Sequence, residues 1–396
     1  MKSVRICILI LVLFVWILPV GCGGGGGDSG SITTSSQTNV QPITVDGGPL
    51  SDYPNAAFTS VMVCEHGSTS NCTTIDHVLV DTGSSGLRLL SSALTLTLPE
   101  QTTGGNPIGE CFQFTDGSYV WGPVKTADVY LANGNEIASS VPIHVLDSTF
   151  YTPPSDCSSS DSYTEEDDLD SLGANGILGI GSSRYDCSYG GTNYCDPSSG
   201  LQSPPTGTYY TCTSSVCTSA FVSLSQQVQN PVALFSTDNN GVIIELPAVT
   251  GPTATLTGSM IFGIGTQSNN GLGSATMFTL DQDGLISTKF NNTSLNSFID
   301  SGSNGYFFPD TIPRDSYGWY IPGSTLNLIA TMGNSTNVSF SVGNADDLFK
   351  EYPTYAVFNT LAGYTSGYFD WGLPFFYGRN VYTSITPNGD GTYWAF

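Results

Sequence analysis

The stretches His77-Val78-Leu79-Val80-Asp81-Thr82-Gly83-Ser84 and Ser297-Phe298-Ile299-Asp300-Ser301-Gly302-Ser303 decide the reading of this 396-residue chain. Each is an apolar run ending in Asp, then a small hydroxyl residue, Gly and a second small hydroxyl residue. The β-formers ahead of each acid predict buried strands that stop at the carboxylate. Gly83 and Gly302 predict tight turns with close backbone approach. The hydroxyls of Thr82, Ser84, Ser301 and Ser303 can donate to the carboxylates or reach across to the other loop. A single Asp-Thr/Ser-Gly tripeptide is usually a solvated turn. Two copies 219 positions apart (300 − 81), both with buried approaches, point to a site instead. If duplicated lobes bring Asp81 and Asp300 face to face, like-charge repulsion raises one pKa and the pair holds a single proton. The ionised member can then take a proton from water while the protonated member polarises a carbonyl. That chemistry hydrolyses an amide without a metal, a cofactor or a covalent intermediate.

Composition predicts an all-β fold. Gly, Ser, Thr, Tyr and Phe abound, charged residues make up only 11%, and no long stretch carries helical periodicity. Turn pairs such as Asn240-Gly241, Asp283-Gly284 and Asn388-Gly389 punctuate short strands. The length suffices for two domains. The expected boundary is near residue 250, where residues 247–255 read as a loop, giving an N-terminal lobe over 46–250 and a C-terminal lobe over 251–396.

With these motifs in place, the chain resembles the pepsin-like, two-lobed aspartic peptidases, in a bacterial lipoprotein setting. Asn175-Gly176-Ile177-Leu178-Gly179-Ile180-Gly181 resembles the segment that passes beneath the first Asp loop in that family. Leu234-Phe235-Ser236 and Gly258-Ser259-Met260-Ile261-Phe262-Gly263 resemble strands leading into its second lobe. Phe369-Asp370-Trp371-Gly372-Leu373-Pro374-Phe375-Phe376 resembles the matching segment beneath the second loop, with Asp370 and Trp371 in place of an apolar pair. The resemblance covers roughly residues 50 to 385, and only the two Asp motifs are highly specific. It implies a bilobal fold of two barrel-like lobes, with a cleft that takes an extended peptide or protein substrate. It also implies a flap hairpin, matched best by Phe114-Thr115-Asp116-Gly117-Ser118. Phe114, Gly117 and Ser118 are therefore candidate substrate-binding residues. Phe114 stands where the family carries a Tyr, and Arg88 where it carries the Trp that bonds that Tyr. Tyr119 and Trp121 are possible replacements for the missing hydroxyl, or ordinary aromatics packed on a hairpin. Hydroxyl donation from Ser84 and Ser303 lowers carboxylate pKa values, so the resemblance implies an acid-active enzyme.

The amino terminus predicts export. Lys2 and Arg5 precede an apolar run over residues 6–18, followed by Pro19-Val20-Gly21-Cys22. This reads as a lipoprotein signal over residues 1–22, cleaved ahead of a lipidated Cys22; the alternatives are an ordinary secretory signal or an uncleaved anchor. Residues 23–45, rich in Gly, Ser and Thr, read as a flexible tether. The remaining eight cysteines suggest four disulfides in an oxidising compartment. Close spacing favours Cys64 with Cys72, Cys187 with Cys195 and Cys212 with Cys217, leaving Cys111 with Cys157, although the sequence does not fix the connectivity. No Cys-x-x-Cys pair appears and the three His are scattered, so no metal site is expected.

The formal charge is −24, and loss of residues 1–21, with Lys2 and Arg5 and no acid, takes it to −26. Such a surface repels nucleic acid and anionic lipid heads, leaving the lipid anchor as the membrane contact of a monomer. The run Glu165-Glu166-Asp167-Asp168-Leu169-Asp170 has no calcium-loop spacing and reads as a solvated acidic loop. Three functions stay open: an exported endopeptidase of the bacterial outer membrane or cell envelope, a pepsin-like binding protein without turnover, and a structural envelope protein. Intact acids favour the first; the altered flap favours the second.

Overall fold

Side chains of alternating polarity make the half-covered strands, and unbroken apolar runs make the fully buried ones. Val40–Asp46 and Ile286–Phe290 alternate between core and solvent, whereas the last four residues of Cys72–Asp81 are all buried. The computed structural model describes residues 37–158, 164–189, 191–214, 216–333, 335–386 and 391–396. The signal, Cys22 and the tether up to residue 36 lie outside the described residues, as do Asn388 and Gly389. Strand makes up 44% and helix 7%, which gives an all-β fold with barrel-like sheets.

Two three-stranded units repeat. In the first, Gly176–Ile180 runs parallel to Cys72–Asp81, with Gly179 opposite Asp81, and antiparallel to Ser85–Leu90. In the second, Tyr368–Trp371 runs parallel to Thr293–Ile299, with Trp371 opposite Ile299, and antiparallel to Tyr306–Phe307. Each acid thus ends one strand, and the chain beyond its loop returns on the far side of a third strand. Such parallel neighbours need a long crossover, which here spans roughly a hundred residues in the first unit and seventy in the second.

Residue 250 lies between two paired strands of one sheet. Gly241–Leu246 and Leu256–Phe262 flank that point as one antiparallel hairpin, and Arg379–Ser384 pairs on the outer side of the first of them. Val40–Asp46 pairs along Leu256–Phe262, from Val40 opposite Ile261 to Val45 opposite Leu256. The first and last parts of the chain therefore share one sheet, and a cut at 250 would divide it. The separate C-terminal sheet begins at Ile286. Residues 40–45, expected as tether, are strand for the same reason: Ile43 and Val45 are buried in the core.

The two units are filled differently. Val78, Val80, Leu87, Leu89, Leu178 and Ile180 make an aliphatic floor under the first acid. The second rests on aromatic rings: Phe369 lies 4.3 Å from Trp371 and 5.1 Å from Phe308 between ring centres. Four disulfides join Cys64 to Cys72, Cys111 to Cys157, Cys187 to Cys195 and Cys212 to Cys217, the pairs that spacing favours. All lie before residue 220.

Candidate active site

The two Asp loops meet and are clasped together by their own hydroxyl residues. Thr82 Oγ1 donates to the Ile299 carbonyl at 3.0 Å and accepts from the Ser301 amide at 2.9 Å. Reciprocally, Ser301 Oγ donates to the Val80 carbonyl at 2.7 Å and accepts from the Thr82 amide at 3.1 Å. Four hydrogen bonds thus tie positions 219 residues apart, all buried, where such bonds are strongest. The residues following the acids are spent on this clasp and not on the carboxylates.

The carboxylates are held by the next two positions. Gly83 N–H donates to Asp81 Oδ1 and Gly302 N–H to Asp300 Oδ1, both at 2.7 Å. Ser84 Oγ donates to Asp81 Oδ2, and Ser303 Oγ to Asp300 Oδ2 at 3.0 Å. The glycines are required by space. A Cβ on Gly83 would stand 2.7 Å from Asp300 Cγ, and one on Gly302 would stand 2.8 Å from Asp81 Oδ1. Each acid therefore lies against the other acid's loop. All eight motif residues predicted from the sequence converge here.

The electrostatics differ from the expectation based on hydroxyl donation. Burial pushes Asp300 well above the usual carboxylate range, and the charges of Asp81 and Asp370 push it further, outweighing the Gly302 amide. Asp370 is a third acid at the site. It faces Phe298 in the strand register, as Ile177 faces Leu79, so Asp370 and Ile177 occupy equivalent places under the two loops. Asp370 is only 6% exposed, and its own pKa is raised by burial and then by Asp81, with Ser303 opposing.

The flap prediction places correctly as a hairpin. Asn106–Gln113 and Ser118–Leu131 pair antiparallel, and the turn between them is closed by Phe114 N–H to the Ser118 carbonyl at 2.8 Å. Gly117, at φ +89°, permits that turn. Phe114 packs 5.0 Å from Phe112 and joins the apolar cluster containing Phe58, Leu79 and Ile177. Ser118 is occupied locally, its amide and hydroxyl both donating to Asp116 Oδ1.

Neither proposed stand-in for the flap hydroxyl serves. Tyr119 donates to Glu165 at 3.0 Å, and Trp121, fully buried, donates through Nε1 to the Tyr151 carbonyl at 2.7 Å. Another phenol, Tyr53, packs against the same apolar cluster as Phe114, 6.2 Å from Phe58 between ring centres, and its pKa is raised by burial and then by the charges of Glu166, Asp116, Asp300 and Asp81. No motif marked Tyr53; it lies in a turn 28 residues before Asp81.

Arg88 has a different duty from the Trp it replaces. It is fully buried, bonds Glu110 at 2.9 Å and Asp186 at 3.2 Å, and stacks its guanidinium 3.7 Å over Phe112. The residue thereby anchors the flap's first strand from below. The acidic run is also corrected: Thr164–Glu165 pairs with Ser118 and Tyr119 of the flap, and burial, helped by Asp116, raises Glu166 to about 7. Asp168 caps the short helix Leu169–Leu172. Half of the expected solvated loop is thus docked against the hairpin.

No curated protein matches the chain. A family model described as "Protein of unknown function (DUF3443)" matches residues 35–396, well over half of the chain. The chain therefore belongs to the DUF3443 family.

Proposed function

We propose that this protein is an exported aspartic endopeptidase of pepsin-like, two-lobed architecture, anchored to the cell envelope through lipidated Cys22. The observation that carries the reading is the reciprocal clasp, which forces the Asp81 and Asp300 carboxyls against each other's loops. Asp300, raised by burial and by its neighbours, suits the protonated member that polarises the substrate carbonyl. Asp81, held by the Gly83 amide and the Ser84 hydroxyl, suits the carboxylate that takes the proton from the attacking water. The proton then passes to the leaving nitrogen, and both bond halves depart without a covalent intermediate. Four disulfides favour an oxidising compartment and hence export.

The second reading is a pepsin-like binding protein of the envelope. Phe114 favours it, since that position of the flap carries no phenol; Tyr53 favours turnover, since it brings a phenol to the apolar cluster that Phe114 joins. Incubating the protein with a denatured protein mixture from pH 3 to 7, beside Asp81→Asn and Asp300→Asn, separates the two. Turnover predicts cleavage that each substitution abolishes. No cleavage at any pH, or cleavage that survives both substitutions, defeats the peptidase.

A further inference from the structure

Asp370 is an anomaly of placement. Phe369 and Trp371 on either side of it turn into the aromatic core, so Asp370 faces the opposite way, toward Ser303 and the acid pair. Its equivalent under the first loop, Ile177, sits in an apolar cluster with Leu79, packed by Phe114 of the flap. The two places are equivalent positions, one beneath each Asp loop. One is apolar; the other is a carboxyl that is 94% buried by its 6% exposure. Its Oδ1 has no hydrogen-bond partner, and the basic residues of the described ion pairs, Arg88, His66, His77 and His144, all engage other acids.

An orphaned buried carboxyl oxygen costs free energy that a ligand can recover. An ammonium or guanidinium fits it best, because charge-assisted hydrogen bonds are strong where water is scarce. A neutral amide would fill the hydrogen bond without offsetting the cost that burial sets on the ionised carboxyl, as a cation does, and an anion would meet three acids. The side of Asp370 away from the aromatic core is the side of Ser303 and the acid pair, where an extended peptide would lie.

We propose that Asp370 sets specificity by receiving a lysine or arginine side chain of the bound peptide, on one side of the bond that Asp81 and Asp300 act upon. Ile177 and Phe114 receive an apolar side chain on the other side. The proposal rests on the reading of the acid pair as the place where a peptide is held. It makes the preferred ligand a peptide with an apolar residue and a basic residue flanking the central bond.

Statine-containing peptides test this, with lysine or uncharged norleucine placed before or after the statine. Binding to the full-length chain is measured by calorimetry for wild type, Asp370→Asn and Asp370→Ile. At one of the two positions lysine should bind wild type at least tenfold more tightly than norleucine. Asp370→Asn should erase that preference and Asp370→Ile reverse it. Equal affinities in wild type, no binding of either peptide, or a lysine preference that persists in the variants would overturn the proposal. Asp370→Asn keeps the shape of the side chain, so it reports even if Asp370→Ile folds poorly. Lysine discrimination without cleavage of any peptide would sink the peptidase and keep the subsite; cleavage without discrimination would do the opposite.

Discussion

The loops of Asp81 and Asp300 have the same backbone and the same hydrogen bonds but stand on different ground. Both use an amide two residues on and a hydroxyl three residues on to hold the acid. Beneath them, aliphatic packing gives way to aromatic packing, and Ile177 gives way to Asp370. The buttressing differs as well. The first half is stapled by disulfides and by a buried Arg88 with two acids, and the second half relies on ring contacts. What must be symmetric for two acids to share a proton is the loop; what surrounds it is free to diverge.

The strongest way to break the comparison is to remove one acid. Asp81→Asn and Asp300→Asn are each expected to lower turnover of a denatured protein substrate on the order of 10³-fold or more. The two losses should be alike in spite of the unlike surroundings, and an active variant of either kind would separate the loops. Next comes the buried ion cluster of the first half. Arg88→Ala strands Glu110 and Asp186 without their cation and should cost about 3–5 kcal/mol in denaturant unfolding. A loss under 1 kcal/mol would show that the cluster contributes little.

The clasp itself predicts coupled effects. Thr82→Val and Ser301→Ala each remove hydrogen bonds that cross between loops, and each should cost about 1–3 kcal/mol. In a double-mutant cycle the double variant's loss should fall short of the sum of the single losses by at least about 0.5 kcal/mol, because both pairs of bonds join the same two loops. Strict additivity would mean that the loops are held independently.

The smallest expected effect sharpens the comparison with a second carboxyl pair far from the site. Glu136 is buried beside Asp238, and burial together with that neighbour raises it to about 7. A raised folded pKa gives stability that is complete below the ordinary carboxylate value and is lost as pH rises through about 7. Thermal unfolding should therefore show a lower midpoint at pH 8 than at pH 5, and Glu136→Gln should flatten that slope. An unchanged slope in the variant would assign the whole pH dependence to Asp300, Asp370 and Glu166, which carry the same sign.

Much of this was legible along the chain because the signals were local. A run such as Val78-Leu79-Val80 says strand and Gly83 says turn without reference to the rest of the fold. Close cysteine spacing likewise pointed to the pairs that are present. The sharing of one sheet by Val40–Asp46, Leu256–Phe262 and Arg379–Ser384 was not legible around residue 250, because it is a matter of long-range pairing. Tyr53 left no trace in the sequence, since nothing local ties a turn aromatic to acids 28 and 247 residues onward. Arg88 read as a defect in a flap contact, and only its buried partners show that it is an anchor.

The repeated Asp motif determined by itself that the chain carries two acids at the ends of buried strands, each with a glycine turn and hydroxyl donors. Those properties follow from residue type and spacing over seven or eight positions. Only the tertiary structure decided that the acids meet, that Asp370 joins them and that Glu165 and Glu166 lean on the flap. Proximity of remote residues is set by how the sheets close, and burial, which raises Asp300 and Asp370, exists only once they have closed.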